Sequence, residues 1–117
     1  MDTKSKNKKI TIRFSKKMKT AMQTALIKSG YGLRGKSRWL RESIVTFLQQ
    51  PNFIDYVENG IDKNQAELTE VEAFYLDSEV ILLIRNASIK IREMHPLFEG
   101  VQSSLVRAGV VYRLMLK

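Results

Sequence analysis

The sequence predicts an α+β fold, mostly helical, in which one strand-helix-helix unit occurs twice and the two strands pair as an antiparallel ribbon over four helices. Three observations predict it. A short run of alternating apolar residues (Ile10, Ile12, Phe14) passes directly into an apolar stripe at helical spacing. The same succession returns at Phe74 and Leu76. Finally, one strand with two short helices leaves both strand edges unpaired and cannot enclose a core, so the two units must complete each other.

The first eight residues contain three lysines (Lys4, Lys6, Lys8) and no apolar side chain after Met1, and they read as a flexible basic arm. In Lys9-Ile-Thr-Ile-Arg-Phe14, the period of two places Ile10, Ile12 and Phe14 on one face and Lys9, Thr11 and Arg13 on the other. Ser15 is placed to cap a helix whose stripe is Met18, Ala21, Met22, Ala25 and Leu26, ending near Gly30. After the turn Tyr31-Gly-Leu-Arg-Gly-Lys36, Ser37 is expected to cap a second helix carrying Leu40, Ile44, Phe47 and Leu48 and ending before Pro51. Trp39 reads as a packing residue of that helix rather than a platform for unpaired bases.

Residues 51–70 form a connector in which a short helix is expected from Asn52 to Asn59, terminated by Gly60. Phe74 and Leu76 then alternate, Asp77 is a cap, and Val80, Leu83, Ile84, Ala87 and Ile91 form a stripe closed off by Pro96. A buried strand over residues 79–84 is the competing reading of that apolar run, and a helix there leaves Ile81 and Leu82 in need of a cover. The segment from Phe14 superposes on that from Leu76 at an offset of 62, and Ser37–Ile44 on Ser103–Val110 at 66. We take this as an internal duplication, giving units at 9–50 and 71–117 that share one core.

The formal net charge is +8 over 117 residues. Nine lysines and four arginines face only Asp2 and Glu42 in residues 1–50, so that half carries +11 and the remainder −3. A basic surface so concentrated suits a polyanion, because neutralised phosphates release condensed counterions. Absence of cysteine excludes disulfides, thiolate metal sites and thiol nucleophiles, and suits a cytoplasmic setting. The single His95, before Pro96, reads as a turn residue, and no cofactor is implied. No catalytic constellation is evident: there is no phosphate-cradling glycine motif, no Cys or His nucleophile system and no interpretable carboxylate pair.

The strand Lys-Ile-Thr-Ile-Arg-Phe, the amphipathic helix after it and the segment Gly-Lys-Ser-Arg-Trp-Leu-Arg-Glu-Ser-Ile resemble the ribbon-helix-helix proteins (the Arc, MetJ and CopG superfamily) over residues 8–49. The duplication resembles the fused type found among plasmid and conjugation proteins. The resemblance implies a non-enzymatic protein that reads double-stranded DNA in the major groove, as a pseudo-dimer able to assemble further on DNA. Its role would be transcriptional regulation or accessory work at a transfer origin beside a relaxase. It assigns base reading to Lys9, Thr11 and Arg13, joined by Tyr75 from the second unit. Phosphate binding falls to Lys36, Ser37 and Arg38 at the start of the second helix, to Ser103 and Ser104 in the matching place, and to the arm lysines Lys4, Lys6 and Lys8. Helix capping explains Ser103 and Ser104 equally well. Val71 and Ala73 offer no hydrogen bond, so the two ribbon edges differ and the preferred site should be asymmetric. An antitoxin-like or protein-interaction module with secondary DNA binding is the alternative, and the absence of a long tail after the last helix counts against it.

Overall fold

The computed structural model describes residues 7–59 and 67–115. The elements run β1 (Lys8–Phe14), α1 (Lys16–Lys28), α2 (Lys36–Leu48), α3 (Phe53–Asn59), β2 (Glu70–Leu76), α4 (Ser78–Met94) and α5 (Val101–Met115), with a short 3₁₀ turn at Leu33–Gly35 leading into α2. The chain is therefore mostly helical, with one two-stranded antiparallel sheet.

The strands pair over seven residues each, from Lys8 opposite Leu76 to Phe14 opposite Glu70, with Thr11 opposite Ala73 at the centre. That register puts Ile10, Ile12, Phe14, Phe74 and Leu76 on the helix side, where Phe14 and Phe74 meet edge-to-face at 6.2 Å. Beneath them lie Met22 and Leu26 of α1, Trp39, Leu40, Ile44 and Phe47 of α2, Val80, Ile84 and Ile91 of α4, and Leu105, Val106 and Val110 of α5. One continuous core thus joins both halves of the chain.

Both strand-to-helix junctions use the same device. The Ser15 hydroxyl accepts from the Met18 N–H at 3.1 Å, and the Asp77 carboxylate accepts from the Val80 N–H at 3.0 Å, each satisfying an amide at a helix start. After α1 the chain turns at Gly30, whose φ of 82° lies in the left-handed region that glycine adopts without a Cβ clash. The two second helices cross directly. Ser43 on α2 is buried, and on α5 a Cβ at Gly109 would lie 3.1 Å from Ile44 Cδ1, so small side chains let the axes approach.

Several expectations change. Residues 79–84 are helical, so the strand reading of that run is excluded. Leu83 and Ala21 are exposed, because the ribbon and neighbouring helices cover a narrower stripe on α4 and α1 than the sequence spacing suggested. Ile81 packs against the core, whereas Leu82 stays 52 % exposed. The connector helix α3 does not cover it: Phe53 and Tyr56 pack against Phe47 of α2, and Tyr56 also meets Tyr112 of α5. Gly60, the expected stop of that helix, lies outside the described residues. Strand β1 begins at Lys8, so Lys8 belongs to the ribbon and not to the arm.

Candidate nucleic-acid interface

The outer face of the ribbon is built by the period of two. Lys9, Thr11 and Arg13 on β1 and Val71 and Tyr75 on β2 are exposed there, and Ala73 is half-buried. Cross-strand pairing sets Lys9 beside Tyr75, Thr11 beside Ala73 and Arg13 beside Val71. A twisted two-stranded ribbon has the width of a B-DNA major groove, where Arg and Lys donate to guanine O6 and N7 and apolar groups touch the thymine methyl. Lys8 shares the parity of Ile10 and Ile12. It therefore turns toward the helix side, where it lines a groove with Ser78, Glu79 and Arg85, and it does not join the outer row.

Below the outer face, Glu72 points inward, as the register requires. Its side chain is only 12 % exposed and is held by Lys36 at 2.8 Å and Lys19 at 3.2 Å. Burial pushes its pKa up, but the hydrogen bonds and charges of Lys36 and Lys19 outweigh that, leaving it below the ordinary value of 4.5. The Lys19 ammonium is correspondingly raised above 10.5 by its contact with Glu72. Lys36 also lies over the Phe74 ring at 5.5 Å, so its charge is tied to the underside of β2.

The start of α2 differs from the expectation for Ser37. Gly35, which has no side chain to accept from a helix-start amide, occupies the N-cap, and the 3₁₀ turn delivers the chain into the helix two residues earlier than a cap at Ser37 would. Ser37 is the second helical residue, and its hydroxyl accepts from the Tyr75 N–H at 2.9 Å, closing an edge amide of β2. Arg38 is exposed and stacks over the Tyr31 ring at 4.6 Å, with exposed Arg34 in the turn just before it. At the start of α5, Gly100 precedes the helix and the Ser104 N–H reaches the Gly100 carbonyl, so Ser103 and Ser104 lie inside the first turns. These two serines share a groove of about 530 Å³ with Thr11, Arg13, Glu99 and Arg107. Lys4 and Lys6 lie outside the described residues.

Two arginines that the sequence reading passed over fix the frame. Arg41 of α2 reaches the Asp77 carboxylate at 3.2 Å, and Arg107 of α5 donates to the Arg13 carbonyl at 2.9 Å. They occupy matching places in the aligned segments, and each secures the strand-to-helix junction of the other half. That match was the available signal. Arg113, deeper in α5, donates to the Trp39 carbonyl at 3.1 Å and to the Tyr31 hydroxyl at 3.2 Å, pinning the turn before α2; Tyr31 in turn bonds Glu42. Trp39 is buried and serves packing.

Compared with protein-family models, curated proteins and solved structures, the chain gives no significant match. Among the described residues no group of three or more His, Cys, Asp or Glu side chains could hold a metal ion. His95 ends α4 and lies 2.9 Å from Glu58 across the surface. No helix among the described residues is long and apolar enough to cross a membrane.

Proposed function

We propose that this chain is a sequence-specific double-stranded DNA-binding protein of ribbon-helix-helix type, whose two halves act as an intramolecular pseudo-dimer. The observation that carries the reading is the exposed row Lys9, Thr11 and Arg13 on the outer face of a two-stranded antiparallel ribbon. Cations and a hydroxyl at alternate positions of a groove-sized element are what base-edge recognition needs. The register supports the pseudo-dimer. Under the offset of 62, Thr11 corresponds to Ala73, and these two residues face each other at the ribbon centre. An axis through that pair would relate the two halves.

The role that suits a fused binder with a basic first half is that of a plasmid or mobile-element protein. It would act as a transfer-origin accessory factor working with a relaxase, or as a transcriptional regulator, in the cytoplasm. Selection of bound sites from random duplex DNA at about 150 mM salt tests the proposal. A defined enriched sequence is expected for the native chain, and enrichment should collapse for Arg13→Ala. Equal retention of all sequences would refute base readout and leave a generic polyanion binder.

A further inference from the structure

Resting on that reading, we infer that base reading and backbone anchoring are assigned to opposite edges of the ribbon, so that the protein binds a non-palindromic duplex in a single orientation. The two edges carry different chemistry. The β1 edge presents Lys9, Thr11 and Arg13, whereas the β2 edge presents Val71, Ala73 and Tyr75. The helix starts beside them are crossed with respect to chain order. The start of α2 lies against β2, through the Ser37 hydroxyl on the Tyr75 amide and the Lys36–Glu72 ion pair. The start of α5 lies against β1, where Ser103 and Ser104 share a groove with Thr11 and Arg13 and where Arg107 holds the Arg13 carbonyl.

The charges at those two helix starts differ. Exposed Arg34 and Arg38 stand ahead of and within the first turn of α2; the groove at the start of α5 holds exposed Glu99 and two neutral serines beside Arg13 and Arg107, the latter donating to the Arg13 carbonyl. A phosphate at the start of α2 meets two exposed guanidiniums, whereas at the start of α5 it also meets a carboxylate. In the groove, Arg13 and Lys9 favour guanine along one edge, while Val71 and Ala73 can only make apolar contact, as with a thymine methyl. Rotating the duplex by the axis through Thr11 and Ala73 would set the apolar edge on the guanine-bearing half and lose both kinds of contact. Only one orientation satisfies both.

The test is interference mapping on the duplex enriched with the full native chain, with methylation of guanine N7 reporting base contacts and ethylation reporting phosphates. Guanine interference is expected in one half of the site, at positions whose signal Arg13→Ala removes, with a loss of affinity of about 5- to 150-fold. Strong phosphate interference is expected on the flank beside the other edge. There, Arg34→Ala and Arg38→Ala should each lower the salt dependence by about one phosphate contact. Thermal unfolding of each variant verifies an intact fold. A palindromic enriched sequence with equal interference in both halves overturns the crossed assignment while ribbon readout stands. Absence of any enriched sequence overturns both.

Discussion

At the scale of single residues, the ribbon divides its side chains strictly by parity, and the two parities do different work. Arg13 has its carbonyl held by Arg107 and its guanidinium on the exposed face, so removing the side chain subtracts a contact without disturbing the core. Arg13→Ala should therefore cost about 1–3 kcal/mol of binding to the preferred duplex, with an unchanged melting temperature by circular dichroism. Glu72, on the inner parity, has the opposite profile. Its carboxyl is held below the ordinary value of 4.5, so it binds protons less readily in the folded than in the unfolded chain. The stability it contributes is complete above the unfolded pKa and is lost as pH falls through the lower, folded one. Glu72→Gln should cost about 1–2 kcal/mol at neutral pH and flatten the acid limb of the stability profile below pH 4.5, measured by urea unfolding across that range. The inward direction of Glu72 was legible from the strand alternation, but its partners were not. Lys19 and Lys36 are far from it in sequence, and only the placement of α1 and α2 beneath the ribbon brings both to it.

At the scale of elements, local chemistry was the most readable layer. The caps Ser15 and Asp77 could be named from sequence because a short polar side chain directly before an apolar helical stripe can accept from the free amides of the first turn. Ser15→Ala and Asp77→Ala should each lower stability by about 1 kcal/mol. The Asp77 variant should lose more, since Arg41 then loses its carboxylate partner as well; chemical denaturation of the two variants and of Arg41→Ala separates the terms. Ser37 shows where the same reasoning failed. It has the residue type of a cap, but the 3₁₀ turn at Leu33–Gly35 starts α2 earlier, and a strand amide from Tyr75 claims the hydroxyl. A tertiary partner outcompeted a local one. Gly109 is a further case, because mid-helix glycine is unfavourable by propensity and makes sense only against α2. With Ile44 Cδ1 at 3.1 Å and Phe47 Cδ2 at 3.6 Å from an added Cβ, Gly109→Val should destabilise by about 1–3 kcal/mol, read by the shift in the unfolding midpoint.

At the scale of the whole molecule, the two halves share one core and brace each other's strand-to-helix junctions through Arg41 and Arg107. The duplicated pattern let the sequence anticipate a ribbon over helices, because neither half alone can close a core. It could not anticipate which helix start lies beside which strand edge. That placement determines which charges lie beside the outer face of the ribbon. Exposed Arg34 and Arg38 thus lie at the start of α2, and exposed Glu99 lies just before α5 in a groove with Arg13 and Arg107. A competition titration of native chain and Arg13→Ala between the enriched duplex and a scrambled duplex at fixed salt tests most directly whether the outer face of the ribbon reads duplex DNA. The substitution is expected to lower affinity for the enriched duplex by about 5- to 150-fold and to change affinity for the scrambled duplex little. An equal loss on both duplexes, or no loss on either, would contradict ribbon readout.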